Sequence, residues 1–488
     1  MGIVISVIIV LAIAGFLAYK TCKSKSDDKL KWIGIALLVS ILFSWIFKSG
    51  YFNAGEFYDQ GLKTVGITDV SAILYFAISF NITIIIYLLL LGGMYGILAK
   101  TKGYDALVNK FAKSINGKEI LVAIIMMVVI IGLTSITTSA LAIVLFMPFL
   151  ISVLLKAKFD KTSAMGLTFG SILVGQLAAT FGTDGLVAFN GYLGTDASVG
   201  LKYRVIFAII TLVLFVVYNI LHLKRQSFNT KNSAEDEDLF AVQSVKGKLW
   251  PTIVVLSFLF VMTVLGFVDW SGSFNIECFN KFHTWLIGLT IGNDFTIMSS
   301  LLGSYAVAFG GFQITTLIVV VLIASILAAV LSELKFKDAC VAFGDGFKKM
   351  FKPTVFYVIA STVFIVAYLS PFMASISNWI LGLTKKFNPY TNALVGLISS
   401  IFHADLGYTG YIVGGLLTTS YTADLSLAHT LYVATYGLAQ VFMPTTSLLV
   451  LGLTYLNLDY KSWFKYIWLF AAAMLVVLLV FATIICYI

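Results

Sequence analysis

Thr134-Ser135-Ile136-Thr137-Thr138-Ser139 is a hydroxyl-rich island inside an otherwise apolar block, residues 119–155, and Met443-Pro444-Thr445-Thr446-Ser447 is a second island in the other half of the chain. A hydrocarbon bilayer offers no water to satisfy a broken helix. Hydroxyl clusters and a proline at membrane depth therefore imply unwound segments that face a protein-lined cavity. Basic stretches bound the first block on both sides, Lys100 to Lys118 and Lys156 to Lys161. Both of its ends then lie on one side of the membrane, and the island falls where a re-entrant hairpin has its tip. Two full spans would satisfy the same flanks, but they would place the hydroxyls in water, where hydroxyls are commonplace.

The chain around these islands is 60% hydrophobic and 11% charged, with a mean hydropathy of +0.98. Those values describe an all-α polytopic membrane protein. The strand-like alternation of an outer-membrane barrel is missing. The +9 net charge is a matter of topology and not of a nucleic-acid partner, because about 25 of the 32 Lys and Arg residues cluster in a few loops. If those loops are cytoplasmic, they show the positive-inside bias. The reading is a multi-pass protein of the plasma (inner) membrane with its N-terminus outside, its central linker cytoplasmic and its C-terminus outside. Cys22, Cys278, Cys340 and Cys486 are scattered, and no HExxH, CxxC or Walker-type loop occurs. Metal hydrolysis, ATP-driven pumping and a bound cofactor lose support. Met1 to Tyr19 reads as a retained first helix, having neither a basic start nor a cleavage site.

Along the chain, one order of elements occurs twice: span, span, amphipathic helix, span, hairpin, broken helix, span. The amphipathic members are expected at 51–67 on the outer side and 336–352 on the inner side, the latter followed by a span at 354–370. The two sets start on opposite sides of the membrane, so they form two inverted-topology repeats, 1–222 and 250–488, joined by the polar linker 223–249. This amounts to about 11 transmembrane helices plus two re-entrant hairpins (119–155 and 389–421) and two broken helices (162–200 and 425–456). Residues 284–312 fit neither copy and read as an extra, partly inserted segment.

A helix that starts inside the membrane presents free N–H groups and the positive end of its dipole. Pro444 suits the first position of such a helix, with Thr445, Thr446 and Ser447 adding hydroxyls, and that combination favours a carboxylate. Thr137, Thr138 and Ser139 can act likewise at the first hairpin tip, and Asp405, Gly407 and Thr409 line the second. Unwound carbonyls and hydroxyls also suit Na⁺, which puts Thr134, Ser135, Gly182, Thr183, Asp184 and Pro444 on the ion side. The plainer alternatives are hydroxyls bonded to their own helix, a proline kink, and glutamines (Gln176, Gln313, Gln440) that glue helices together. Asp424 and His429 are expected near the outer surface. His403 is an interfacial side chain or a proton relay.

Tyr436-Gly437-Leu438-Ala439-Gln440-Val441-Phe442-Met443-Pro444-Thr445-Thr446-Ser447, followed by Leu456 to Trp463, resembles the YfcC/DcuC family of the ion transporter superfamily. Leu201-Lys202-Tyr203-Arg204 and Phe343-Gly344-Asp345-Gly346 resemble further family positions. The resemblance implies a secondary transporter of C4-dicarboxylates, other organic anions or amino acids, working as a homodimer with an elevator-like motion. The chain departs from the family at the first tip, where members often carry acidic residues; this counts against a basic amino-acid substrate. The expected function is an ion-coupled symporter or antiporter for a small carboxylate, with Na⁺ favoured over H⁺ because the islands are rich in hydroxyls. The alternatives are an exchanger without net ion coupling, a channel or scaffold, and a membrane transferase. The last would need paired carboxylates facing one leaflet, which Asp184 and Asp405 do not form as a motif.

Overall fold

The computed structural model describes residues 27–53, 56–225, 238–240, 247–291, 295–303, 305–384, 386–402, 405–421 and 424–487. The expected first span, most of the linker and His403 lie outside the described residues. Helix α1 (Asp28–Ile46) is followed by strands β1 (Gly50–Asn53) and β2 (Glu56–Asp59), then by α2 (Val70–Ala99) and the amphipathic α3 (Lys102–Ile115). The first hairpin region folds as α4 (Glu119–Ile136), the single turn α5 (Leu141–Val144) and α6 (Met147–Lys156). Next come α7, residues 161–177 with a π-turn at Gly166–Gly170, then α8 (Leu186–Leu193) and α9 (Leu201–Leu223).

The second half opens with α10 (Trp250–Phe267) and a run of short pieces: α11 (Trp270–Phe274), α12 (Cys278–Ile287), β3 (Thr290–Ile291), β4 (Phe295–Thr296) and α13 (Ile297–Leu302). It continues with α14 (Ile314–Leu331), α15 (Phe336–Leu369) and α16 (Phe372–Leu381). Helices α17 (Pro389–Phe402) and α18 (Leu406–Ser420) form the second hairpin region. They are followed by α19 (Leu425–Phe442), α20 (Ser447–Tyr455) and α21 (Tyr460–Tyr487).

Among the described residues, nine helical segments are long and apolar enough to cross a membrane. Peripheral helices show apolar stripes at helical spacing, such as Leu121, Ile125, Val128 and Val129 on α4, all exposed. In water such a stripe would be a liability; in lipid it is the solvent-facing side. Leu425–Tyr455 is the most enclosed segment, with 83% of its apolar stretch inside the protein, so the second broken helix runs through the middle of the molecule. There α19 packs on both α7 and α17.

Two expectations for the helices need correction. Residues 51–67 are not an amphipathic helix. Tyr51 pairs with Tyr58 and Phe52 with Phe57 across an antiparallel hairpin, with the tyrosine rings stacked at 5.4 Å. Aromatic residues facing each other across the two strands favour a pleated pair over a helical face, and Glu56 and Asp59 are its exposed positions. The expected separation of 336–352 from 354–370 is also absent, because α15 runs through Pro353 as one 34-residue helix. It packs tightly against α2: a Cβ on Gly346 would lie 2.1 Å from the Gly92 carbonyl oxygen, so the two backbones touch. Neighbouring helices let a membrane helix tolerate an internal proline. The described residues within 278–312 include the short elements α12 and α13 and the β3–β4 pair.

Candidate functional site

In each half, the unwound residues of one interrupted helix bond to a carbonyl at the C-terminal end of another helix. In the first, α4 ends at Ile136, and the carbonyl of its penultimate residue, Ser135, accepts the N–H groups of Thr180, Phe181 and Gly182 at 2.9, 3.2 and 3.2 Å. The Thr180 hydroxyl adds a bond at 2.9 Å to the same oxygen. In the second, α17 ends at Phe402, and the carbonyl of its penultimate residue, Ile401, accepts the Thr445 hydroxyl at 2.9 Å. Carbonyls at a helix end have no partner in their own helix, so a nearby unwound strand with free donors is their natural complement.

Asp184 ties the first joint together. One carboxylate oxygen accepts the Ala140 N–H at 3.1 Å and the other accepts Gln176 Nε2 at 2.6 Å, which joins the hairpin tip, the end of α7 and the break. Asp405 caps α18 by accepting the Tyr408 N–H at 3.2 Å. The two halves meet at Gly185, whose φ of +75° turns the chain; a Cβ there would lie 2.9 Å from the Gly407 nitrogen and 3.2 Å from an Asp405 carboxylate oxygen. Break one thus abuts tip two.

These elements enclose a cavity of about 490 Å³. Ser139, Gln176, Asp184 and Gly185 line it from the first half, and Asp405, Tyr436, Gln440 and Ser447 from the second. The scaffold helices α2 and α15 contribute Phe80, Asn81, Tyr357, Ser361 and Phe364. No lysine, arginine or histidine lines it among the described residues. Gln176 is 2% and Gln440 4% exposed, yet Gln176 Oε1 and Gln440 Nε2 have no protein partner. Asn81 donates to Ser361 Oγ at 3.0 Å, bridging α2 and α15 at the wall.

Of the residues singled out in the sequence, Ser139, Asp184, Asp405 and Ser447 therefore reach the cavity together. The others serve the frame. Thr134 and Ser135 hydroxyls bond back to Ile130 and Gly132 in their own helix. Thr137 is buried and bridges to Val268, while the Thr138 N–H and hydroxyl both go to Phe267. Gly182 presses against the Thr137 backbone, and Thr183 is buried with an unpartnered hydroxyl. Gly407 packs on Ala188, and Thr409 bonds to the Asp405 carbonyl. Thr446 precedes α20 and is buried.

Pro444 does not open the restarted helix, which begins at Ser447. It occupies the second position of a turn closed by the Thr446 N–H on the Met443 carbonyl at 3.1 Å, a place its fixed φ suits equally well. His429 is fully buried in the protein, with Nε2 2.7 Å from Asn190 Oδ1. Asn81, Ser361 and Tyr357 were not singled out, and Tyr436 only as the start of the stretch that carries the resemblance. An amide in the middle of a spanning helix was the available signal for Asn81.

A polar cavity enclosed by membrane-length helices, hairpin tips and helix breaks is the arrangement of a membrane carrier. The family model described as C4-dicarboxylate anaerobic carrier (DcuC) matches residues 1–406, and the chain belongs to that family; it is a membrane transporter and not an enzyme. Among solved structures it is similar to the YdaH transporter of Alcanivorax borkumensis, at 12% identity and a TM-score of 0.38 over 96% of this chain and 97% of that one. It is also similar to MtrF of Neisseria gonorrhoeae, from a class of antimetabolite efflux pumps, at 12% identity and a TM-score of 0.36 over 94% and 95%. No curated protein matches it in sequence.

Proposed function

We propose that the protein is a cation-coupled secondary carrier of a C4-dicarboxylate, with substrate and coupling ions held together in the cavity between the two tips and the two breaks. One observation supports this most: the cavity walls hold two carboxylates, Asp184 and Asp405, and no basic side chain among the described residues. A dicarboxylate would bring two more negative charges into the same space. At about 5 Å, each like-charge pair costs roughly 3 kcal/mol even at an effective dielectric constant of 20. A dianion therefore enters only with cations that offset this repulsion, and binding of the two becomes mutually dependent.

In this reading the cations sit at Asp184 and Asp405. The substrate carboxylates take the neutral donors Gln440, Ser447 and Ser139. Na⁺ suits the oxygen donors, and H⁺ on the carboxylates is the other coupling ion. The Asp184 bond to Ala140 also links ion occupancy to the closed position of the first tip. Elevator-like movement of the tips and breaks against α2 and α15 would carry the loaded cavity across the membrane.

The test is uptake of labelled succinate into proteoliposomes under imposed Na⁺ or pH gradients. The expected result is a sigmoidal dependence on one cation, with a Hill coefficient of about 2, set by the two wall carboxylates. Uptake at full rate with both gradients collapsed would overturn the proposal.

A further inference from the structure

Tyr357 and Tyr436 enter the cavity from two different helices, and neither is tied into the frame. On α15, Tyr357, Ser361 and Phe364 follow one another at helical spacing and share the face turned to the cavity. On α19, Tyr436 stands one turn before Gln440 and shares its face. Other buried tyrosines of the protein are anchored. Tyr87 and Tyr95 donate to the carbonyls of Leu141 and Leu145 at 2.8 and 2.7 Å, Tyr460 donates to that of Phe442 at 2.6 Å, and Tyr432 donates to Asn392 Oδ1 at 3.3 Å. The Tyr357 and Tyr436 hydroxyls bond to nothing among the described residues. Unlike the Tyr455 hydroxyl, neither is sealed into the packing; both open on the cavity. Each phenol lies within electrostatic reach of Asp184 and Asp405, and Tyr436 also of Tyr357.

A buried phenol ordinarily finds a hydrogen-bond partner, and two that lack one beside the same space of about 490 Å³ point to an acceptor that comes from outside. The wall carboxylates accept from Ala140, Gln176 and Tyr408 instead. Resting on the carrier reading above, we infer that Tyr357 and Tyr436 converge on one carboxylate group of the substrate and hold it between α15 and α19. The residue type fits the surroundings. A lysine or arginine here would pair with Asp184 or Asp405 and take the place of a cation, whereas a phenol has an O–H to give and no charge to neutralise those acids. The two tyrosines thus add donors for an anion to a wall that stays acidic enough for cations.

The test compares the full-length carrier in detergent with Tyr357→Phe and Tyr436→Phe, which keep both rings and remove one hydroxyl each. Succinate binding is titrated in a sodium buffer and in a sodium-free acid buffer, so that either coupling ion is at hand, and thermal unfolding is followed with and without succinate. Without succinate, both variants should melt with the wild type or above it, because the lost hydroxyl bonds to no protein group. The Kd for succinate should rise about tenfold or more in each, as expected for one hydrogen bond to a charged group, and the rise in Tm that succinate causes should shrink with it. Wild-type affinity in either variant overturns the inference and leaves the carrier reading standing. A lower Tm without succinate, at unchanged Kd, means that the hydroxyls serve the fold, and overturns it equally. A wild type that binds no succinate in either buffer overturns the carrier reading itself, and the inference with it.

Discussion

Replacing Asp184 separates its structural from its coupling role, because alanine and asparagine remove different things. Besides the half-buried Ser139 hydroxyl, the carboxylate accepts two buried donors, the Ala140 N–H at 3.1 Å and Gln176 Nε2 at 2.6 Å. Asp184→Ala strands both in a buried joint. At about 1–3 kcal/mol for each unsatisfied donor, the loss of stability should be about 2–6 kcal/mol. Asp184→Asn keeps the shape. Its amide oxygen can retain Ala140, and Gln176 can turn its own amide over so that Oε1 accepts from the new NH₂ group. The fold should then lose no more than about 1 kcal/mol, while the charge disappears.

The assay pairs thermal unfolding in detergent with succinate uptake in proteoliposomes. Asp184→Asn should unfold close to the wild type but lose the sigmoidal cation dependence, and Asp184→Ala should fail on both measures. Adding Gln176→Leu to Asp184→Ala removes one of the two stranded donors and should recover about 1–3 kcal/mol. An Asp184→Ala protein as stable as the wild type would refute the joint. An Asp184→Asn protein with wild-type cation dependence would refute the coupling role.

Three further perturbations bear on other parts of the same frame. Gly182→Ala places a Cβ 2.3 Å from the Thr137 carbonyl oxygen, which neither backbone can easily yield, so the break is pushed off the tip; a loss of about 1–3 kcal/mol and slower uptake are expected from melting curves and initial rates. Gln440→Leu removes a buried donor that has no protein partner, so Tm should hold or rise, whereas the KM for succinate should climb at least about tenfold. In the linker between the halves, burial pushes the Asp238 carboxyl above the usual carboxylate range, with the 2.6 Å bond from the Ser152 hydroxyl opposing it. A raised value in the folded state means its stabilising contribution is full below the unfolded carboxylate pKa and is lost as pH rises through the folded one. Asp238→Asn should therefore gain on the wild type as pH rises from acid to neutral, read as the difference between their Tm values.

The membrane class was readable because repeated apolar runs of spanning length are too hydrophobic for a water-soluble fold, and the positions of the breaks because polar residues at depth need a reason to be there. Residues 178–185 and 443–446, where the helices stop, lie beside Gly182-Thr183-Asp184 and Pro444-Thr445-Thr446 for that reason. What a hydroxyl bonds to was not readable in the same way. Thr134 and Thr138 look alike in sequence, yet one bonds within its helix and the other reaches Phe267, far along the chain. Pro353 and Pro444 make the same point for backbone: the first is held inside a helix by packing against α2, and the second sits in a turn. The cavity wall from α2 and α15 stayed hidden because Asn81 and Ser361 meet only once two distant helices are packed. His429 gave no sign that it lies inside, since a single histidine in a spanning helix is compatible with either end.

The two glutamines show why the halves had to diverge. Gln176 lies one residue before α7 ends and Gln440 two residues before α19 ends, so each stands at the lip of its own break, buried and facing the cavity. In the first half the break supplies Asp184, which takes the amide nitrogen and leaves an oxygen free. In the second half the break is Pro444-Thr445-Thr446, with no carboxylate, and the amide nitrogen is left free. The two breaks thus differ, one supplying a carboxylate and the other none, while the second hairpin region returns an acid, Asp405, to the same wall. A cation at either carboxylate and a substrate carboxylate beside it each lower the cost of burying the other. It follows that Gln440→Glu, which makes the second lip resemble the first, should be far more damaging to dicarboxylate uptake than Gln440→Leu. Equal uptake by the two variants would show that the polarity of the cavity does not govern what it holds.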